Sequence, residues 1–370
     1  MNVTYLVRTS LFRVLCCSLS AFAQQQPATP ATGQLQAPSI SSPDTADRRL
    51  LLDVVVTDKS GKVVKGLGQK DFTVLDNGHP QTILSFQASG GDEATAANVQ
   101  PETPVQIILL VDEVNTNFTR VAYERDEIKR FLLQNGGKLA RPMSLAFFSD
   151  TGTDIENGTS RDGNALLAVF DQHETTLRGI RRSSGFYGAV ERFQLSLNTL
   201  NSLIAKEAKV PGRKIVIWIS PGWPILSGPQ VDLSDKQRAG LLASIISIST
   251  ALRETRMTLY NVNPEGAQDA GGIQSFYYKE FLKPITAARQ TLPGDLALQV
   301  LAIHSGGLVF NASNDITAQI DHCVADADAF YTLTLDAARA EKPNEYHAIE
   351  VKVAAPGLTA RTQSGYYVQP

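Results

Sequence analysis

An apolar run, Val105-Gln-Ile-Ile-Leu-Leu-Val, ends at Asp112 and is followed at once by Glu113-Val-Asn115-Thr116-Asn117. A run of this length and hydrophobicity, bounded by turn formers, reads as a strand covered on both faces. Such strands belong to parallel sheets with helices on either side. In those sheets ligands bind beyond the carboxyl ends of the strands, where Asp112, Asn115 and Thr116 would lie. Carboxylate, amide and hydroxyl oxygens suit a hard divalent cation such as magnesium or calcium. The same residue types also cap helices and hold turns through local hydrogen bonds, and both readings stand at this point.

Downstream the pattern repeats. Helical periodicity in Val121 to Leu133 is followed by the strand Met143 to Phe148, which ends in Ser149-Asp150. A helix from about Gly188 to Ala208 precedes the strand Lys214 to Ser220, and Ser234 caps a helix running to about Glu254. The strand Met257 to Val262, a helix near Leu296 to His304 and the strand Gly307 to Phe310 complete an alternating region over 104–312. Alternation at this spacing predicts a mostly parallel sheet with helices on both faces.

The flanks differ. Over 49–88 lie the β-branched run Leu50 to Thr57, the turn Asp58-Lys-Ser-Gly61, the short strand Lys62 to Lys65 and the alternating Asp71 to Asp76. Asn77-Gly78 then joins Asp71–Asp76 to Gln81–Phe86, a strong hairpin signal. This β module is too small for a large core of its own. After a polar linker at 89–103 and the alternating region, the segment 313–370 again carries strand-like runs, Ala329 to Leu335, Tyr346 to Val353 and Thr359 to Gln363. The simplest arrangement packs this C-terminal segment on the N-terminal module as antiparallel strands.

Composition bounds the function. A hydrophobic content of 43% supports a substantial core, and a net charge of -3 leaves no electrostatic footprint for nucleic acid. The first 23 residues carry Arg8 and Arg13, an apolar stretch and Ala21-Phe-Ala23, the order of a secretory signal. Residues 24–48, rich in Gln, Pro, Ala, Thr and Ser, read as a disordered tether. The expected location is therefore outside the cytoplasm, periplasmic or extracellular. Cys16 and Cys17 would leave with the signal, and Cys323 alone then allows no intramolecular disulfide. No later window is long and apolar enough to span a membrane.

Taken in order, Leu52-Asp-Val-Val-Val-Thr-Asp-Lys-Ser-Gly61, Gly66-Leu67 with Asp71-Phe72, Asp76-Asn-Gly78, Val111-Asp112 with Asn115-Thr116, Pro356-Gly-Leu358 and Ser364-Gly-Tyr-Tyr367 form a recognisable series. By it the chain resembles the von Willebrand factor A-related proteins described from acidobacteria. The resemblance implies a doubly wound, Rossmann-like sheet that binds protein partners through a metal ion at its top. In such domains the ion sits on an Asp-x-Ser-x-Ser loop, a Thr from a second loop and an Asp from a third. Here Asp112 matches the first position, Val114 stands at the first Ser and Thr116 at the second. Ser184 falls at the Thr position, and Pro221 falls where the second Asp is expected. The implied magnesium (or calcium or manganese) site is degenerate, with Asn115 and Asp150 as substitute ligands.

The expected function is an exported, non-enzymatic binding module for an unidentified protein partner. A metal-independent envelope scaffold is the alternative, and an α/β hydrolase is the enzymatic one. Trp223, Tyr277 and Tyr278 are either interface anchors or core. No Gly-x-Ser-x-Gly elbow occurs, the nearest segment being Ile219-Ser220-Pro-Gly222, and the five histidines show no metal-ligand spacing. His322 and Cys323 are adjacent, but neighbours on a helix point apart.

Overall fold

The computed structural model describes residues 49–90, 104–173, 185–226, 232–266, 277–339 and 342–368. All fall in the second of the two units into which the chain divides, Thr45–Pro370. The signal at 1–23, the tether at 24–48, nearly all of the linker at 89–103, and Ser184 lie outside the described residues.

Strand β5 (Val105–Asp112) is buried from Ile107 onward and lies at the middle of a sheet. It pairs in parallel with β6 (Lys138–Ser149) on one side and β9 (Arg213–Ile219) on the other. Beyond β9 follow β10 (Met257–Val262) and the short β11 (Val309–Phe310), both parallel. Beyond β6 lies β7 (Gly152–Ile155), antiparallel, while β8 (Ser160–Asp162) also pairs with β6. The order β11-β10-β9-β5-β6-β7 reverses direction at β5, which is the doubly wound plan the sequence predicts.

Side chains alternate across this sheet. Ile108 and Leu110 join a core roofed by α3 (Gly185–Glu207), α4 (Asp235–Glu254) and α5 (Leu298–His304). Ile107, Leu109 and Val111 join the opposite core, under α1 (Phe118–Leu132), α2 (Gly163–Gln172) and α6 (Ile316–Ala325). A strand packed on both faces needs apolar residues at every position, which explains the unbroken run. Among the described residues no helix is long and apolar enough to cross a membrane.

Helix α6 corrects one expectation. The segment 313–370 reads as a C-terminal β segment from its strand-like runs, yet its first part is helical, with Asp315 capping the helix by accepting from the Ala318 amide at 3.0 Å. Ile316, Ile320, Cys323 and Val324 recur at helical spacing and complete the core beneath β9 and β10. The tail strands begin only at β12 (Phe330–Asp336), followed by β13 (Glu345–Val353), β14 (Thr359–Arg361) and β15 (Gly365–Val368).

The tail strands pair with the N-terminal ones. β1 (Arg49–Thr57) lies between β14 and β12, and β4 (Ser85–Ser89) flanks β12. In a second sheet β13 lies between β15 and β2 (Phe72–Asp76), with β3 (His79–Gln81) beside β2. One shared core joins the two sheets, with Leu52, Val54, Tyr331 and Leu333 from the first and Val74 and Ile349 among those from the second. Asn77 and Gly78, at φ 48° and 81°, supply the left-handed pair a tight hairpin needs. The hairpin's second strand is shorter than expected: after Gln81 the chain crosses to the other sheet, where the Leu84 amide donates to the Thr334 carbonyl at 2.8 Å. The Lys62–Lys65 strand reduces to a single bridge between Thr57 and Val63.

Two charged clusters tie the β sandwich to the α/β layers. Arg256 donates to both carboxylate oxygens of Asp53, at 2.5 and 3.0 Å. Arg361 of β14 donates to Asp326 at 2.6 Å, where the buried Tyr260 hydroxyl donates to the same oxygen at 2.7 Å. The Asp326 backbone carbonyl accepts from Arg213 at 2.8 Å.

Candidate functional site

Asp112 sits at the carboxyl end of β5 and is completely buried. Its Oδ1 accepts from the Val114 amide at 3.0 Å and the Asn115 amide at 2.8 Å, which folds the chain into a tight turn. Its Oδ2 accepts from the Asn115 side-chain amide at 2.9 Å, the Trp218 indole at 3.0 Å and the Ser220 hydroxyl at 2.8 Å. Helix capping falls to another residue, Asn117, whose Oδ1 accepts from the Thr119 amide. Burial pushes the Asp112 carboxyl above its ordinary pKa, and the bonds from Asn115, Ser220 and Trp218 pull it back.

The strand register explains the partners. Leu110 lies opposite Trp218, so Asp112, two residues on, comes level with Ser220. The Asn115 amide continues to Ser196 of α3 at 3.0 Å, and the Ser220 hydroxyl accepts from the Gly222 amide at 3.1 Å. Pro221, at the position expected of a ligating aspartate, offers only its carbonyl, which accepts from Gln299 at 3.1 Å. Val114 packs into the apolar core.

These residues do not fit a hard divalent ion. A carboxylate has about four lone-pair positions, and the five donors on Asp112 occupy them. Asn115 Oδ1 and Thr116 Oγ1 are buried without a partner among the described residues, but both are neutral, and neutral oxygens alone hold hard cations weakly. Asp150 lies half-exposed in the turn that follows β6, the strand next to β5. Ser184, the second-loop position, lies outside the described residues. The structure therefore brings Asp112, Asn115 and Thr116 together and closes them around donors from β9. Sequence reasoning missed Trp218 and Ser220; the signal was the buried indole N–H two residues before a strand end, which needs an acceptor.

The aromatic candidates divide as well. Trp223 is 3% exposed and packs edge-on to Trp218 at 5.1 Å, so it is core, as is Tyr278. Tyr277 is half-buried and packs edge-on to Phe281 at 5.4 Å. The exposed large side chains at this end are instead Phe118 at 69% and Tyr187 at 84%, with Val190 beside Tyr187 on α3. Helix α3 runs antiparallel to the sheet: Glu207 lies by Gln106 at the foot of β5, and Ser196 by Asn115 at its top. From Ser196 back to Gly185 the helix rises about 16 Å at 1.5 Å per residue. Its first turns carry the exposed Tyr187 and Val190, with Phe186 half-buried and Gly188 buried.

Cys323 is fully buried, and burial pushes its thiol well above the ordinary range. His322 points away, edge-on to Phe310 at 5.3 Å. A thiol reagent such as DTNB is expected to leave Cys323 unmodified in the native protein and to label it fully in denaturant; fast native labelling would contradict this packing.

No family model matches the chain, and no curated protein matches it. Among solved structures it is similar to an aerotolerance-related membrane protein from Bacteroides fragilis, at 12% identity and TM-score 0.32, over 60% of this chain and 99% of that one. It is also similar to the VWA domain of SpRpn10, at 13% identity and TM-score 0.27, over 58% of this chain and 94% of that one. The pilus adhesin SpaC from Lactobacillus rhamnosus GG gives 11% identity and TM-score 0.35, over 82% of this chain but about half, 47%, of the adhesin. Likeness this distant carries no argument about function. The architecture rests on the strand order, a doubly wound, mostly parallel sheet with an antiparallel sandwich beside it.

Proposed function

We propose that this protein is an exported, non-enzymatic binding module that grips a protein partner with the sheet-top crown around Phe118 and Tyr187, its degenerate metal site working without a resident cation. The carrying observation is the pair of large aromatic side chains, 69% and 84% exposed, on the rim where this class of sheet presents ligands. Exposed aromatics rimmed by polar residues are favoured anchors at protein interfaces. Asp112, spent on five hydrogen bonds, supports a grip independent of cations. The non-enzymatic reading is supported by Ser220: fully buried and bonded to Asp112 and the Gly222 amide, its hydroxyl is no nucleophile.

The test is quantitative capture of cross-linked partners from the native envelope fraction by the wild type and by Phe118→Ala/Tyr187→Ala. The double variant is expected to lose about tenfold or more in affinity for whichever partner the wild type holds, with no change on adding EDTA. Equal capture by both proteins, or release by EDTA, refutes the reading.

A further inference from the structure

Between α4, α5 and the sandwich lies a cleft that opens to solvent. It is remote in the fold from the crown, being walled by the start of β10, the segment Phe281–Ile285 and the β14–β15 connection. Leu252, Met257, Phe281, Ile285 and Leu301 form its apolar wall. At the β14–β15 connection, Gln363 Nε2 and Thr362 Oγ1 are buried and have no hydrogen-bond partner among the described residues. A donor and a hydroxyl left unmatched in a lined cleft point to a ligand that supplies the partner.

The charges select the ligand's sign. Asp53, Arg253, Arg256, Lys283 and Asp295 line the cleft. Arg256 and Asp53 neutralise each other through two hydrogen bonds. Arg253 shares an exposed edge with Glu254 at 3.3 Å, and Lys283 has no ionic partner among the described residues. Asp295, whose carboxyl burial raises to about 6, also lines the cleft, so three cations stand there against two carboxylates. His304, its Nδ1 on the Ser364 hydroxyl at 2.5 Å, is held toward its neutral form by burial. The balance favours an anion with an apolar body.

We propose that this cleft binds a small monocarboxylate, its carboxylate held by Lys283, Arg253 and the Gln363 amide and its apolar body laid against Leu252, Met257, Phe281 and Leu301. The site is independent of the crown. Phenylbutyrate is the probe, titrated by calorimetry into the full chain at neutral pH, with its uncharged methyl ester as the control. The expected result is saturable binding, weakened about fivefold or more by Lys283→Ala and about tenfold or more in the ester, and unchanged by Tyr187→Ala. Lys283 is exposed, so its replacement leaves the fold intact. No saturation up to about 10 mM, equal binding of the ester, or unaltered affinity in the Lys283 variant would each overturn the proposal.

Discussion

Arg361→Ala is expected to lower the free energy of unfolding by about 3–5 kcal/mol, the usual cost of removing one partner from a buried ion pair. Arg361 reaches from the short strand β14 into the α/β layers, where Asp326 is fully buried. Without the guanidinium, that carboxylate keeps only the Tyr260 hydroxyl at 2.7 Å on the shared oxygen. The Gly306 carbonyl also loses its donor at 2.6 Å. Arg361→Lys, which restores charge but not the forked geometry, should recover part of the loss. Urea unfolding followed by tryptophan fluorescence measures it directly. A change below about 1 kcal/mol, as for a surface pair, would mean that this junction contributes little to holding the sandwich in place.

Asp112→Ala should be at least as damaging, for a different reason. It leaves the Trp218 indole, the Ser220 hydroxyl and two backbone amides without an acceptor, and the Asn115 side-chain amide with Ser196 alone. A buried unsatisfied donor costs about 1–3 kcal/mol. The bonds share one acceptor and are not additive, so about 4 kcal/mol is a reasonable total. The loss should be identical with EDTA and with magnesium. If magnesium instead raised the melting temperature of the wild type and not of the variant, the hydrogen-bonded cluster would have to open around a cation, and Asp112 would be a ligand after all.

The core of the fold was legible because its strands are extreme. Arg213–Ile219, buried at every position, and Val105–Asp112 admit almost no other reading than central parallel strands, and the Ser234 cap and the Asn77-Gly78 turn carry their own local chemistry. Helix α6 was obscured because Ile316 to Ala325 mixes its apolar face with Thr, Gln, Asp and His, a pattern that shows as a helix only once the core beneath it is known. At the sheet top the first loop and the third, Trp218 to Gly222, could be placed by motif, whereas the hydrogen bonds of Trp218 and Ser220 to Asp112 could not. Their role depends on the β5–β9 register, which brings together positions 106 and 108 residues from Asp112. Exposure was equally hidden: Trp223 and Tyr187 are both aromatics near element ends, and only packing separates the core residue from the crown.

The pairing of Leu51 with Thr334 and of Val74 with Val351 makes the α/β domain an insert within the sandwich. During synthesis β1 and β2 emerge early, yet their neighbours β12 and β13 are made only after the whole inserted domain. Loop closure over that span is slow but thermodynamically cheap, particularly when the insert has already folded and brings its ends together. A chain cut short before Phe330 could form much of the doubly wound core while leaving two apolar strands with open edges, a ready target for proteolysis or aggregation. The sandwich therefore acts as a clasp: it closes only around a chain whose interior has been made in full.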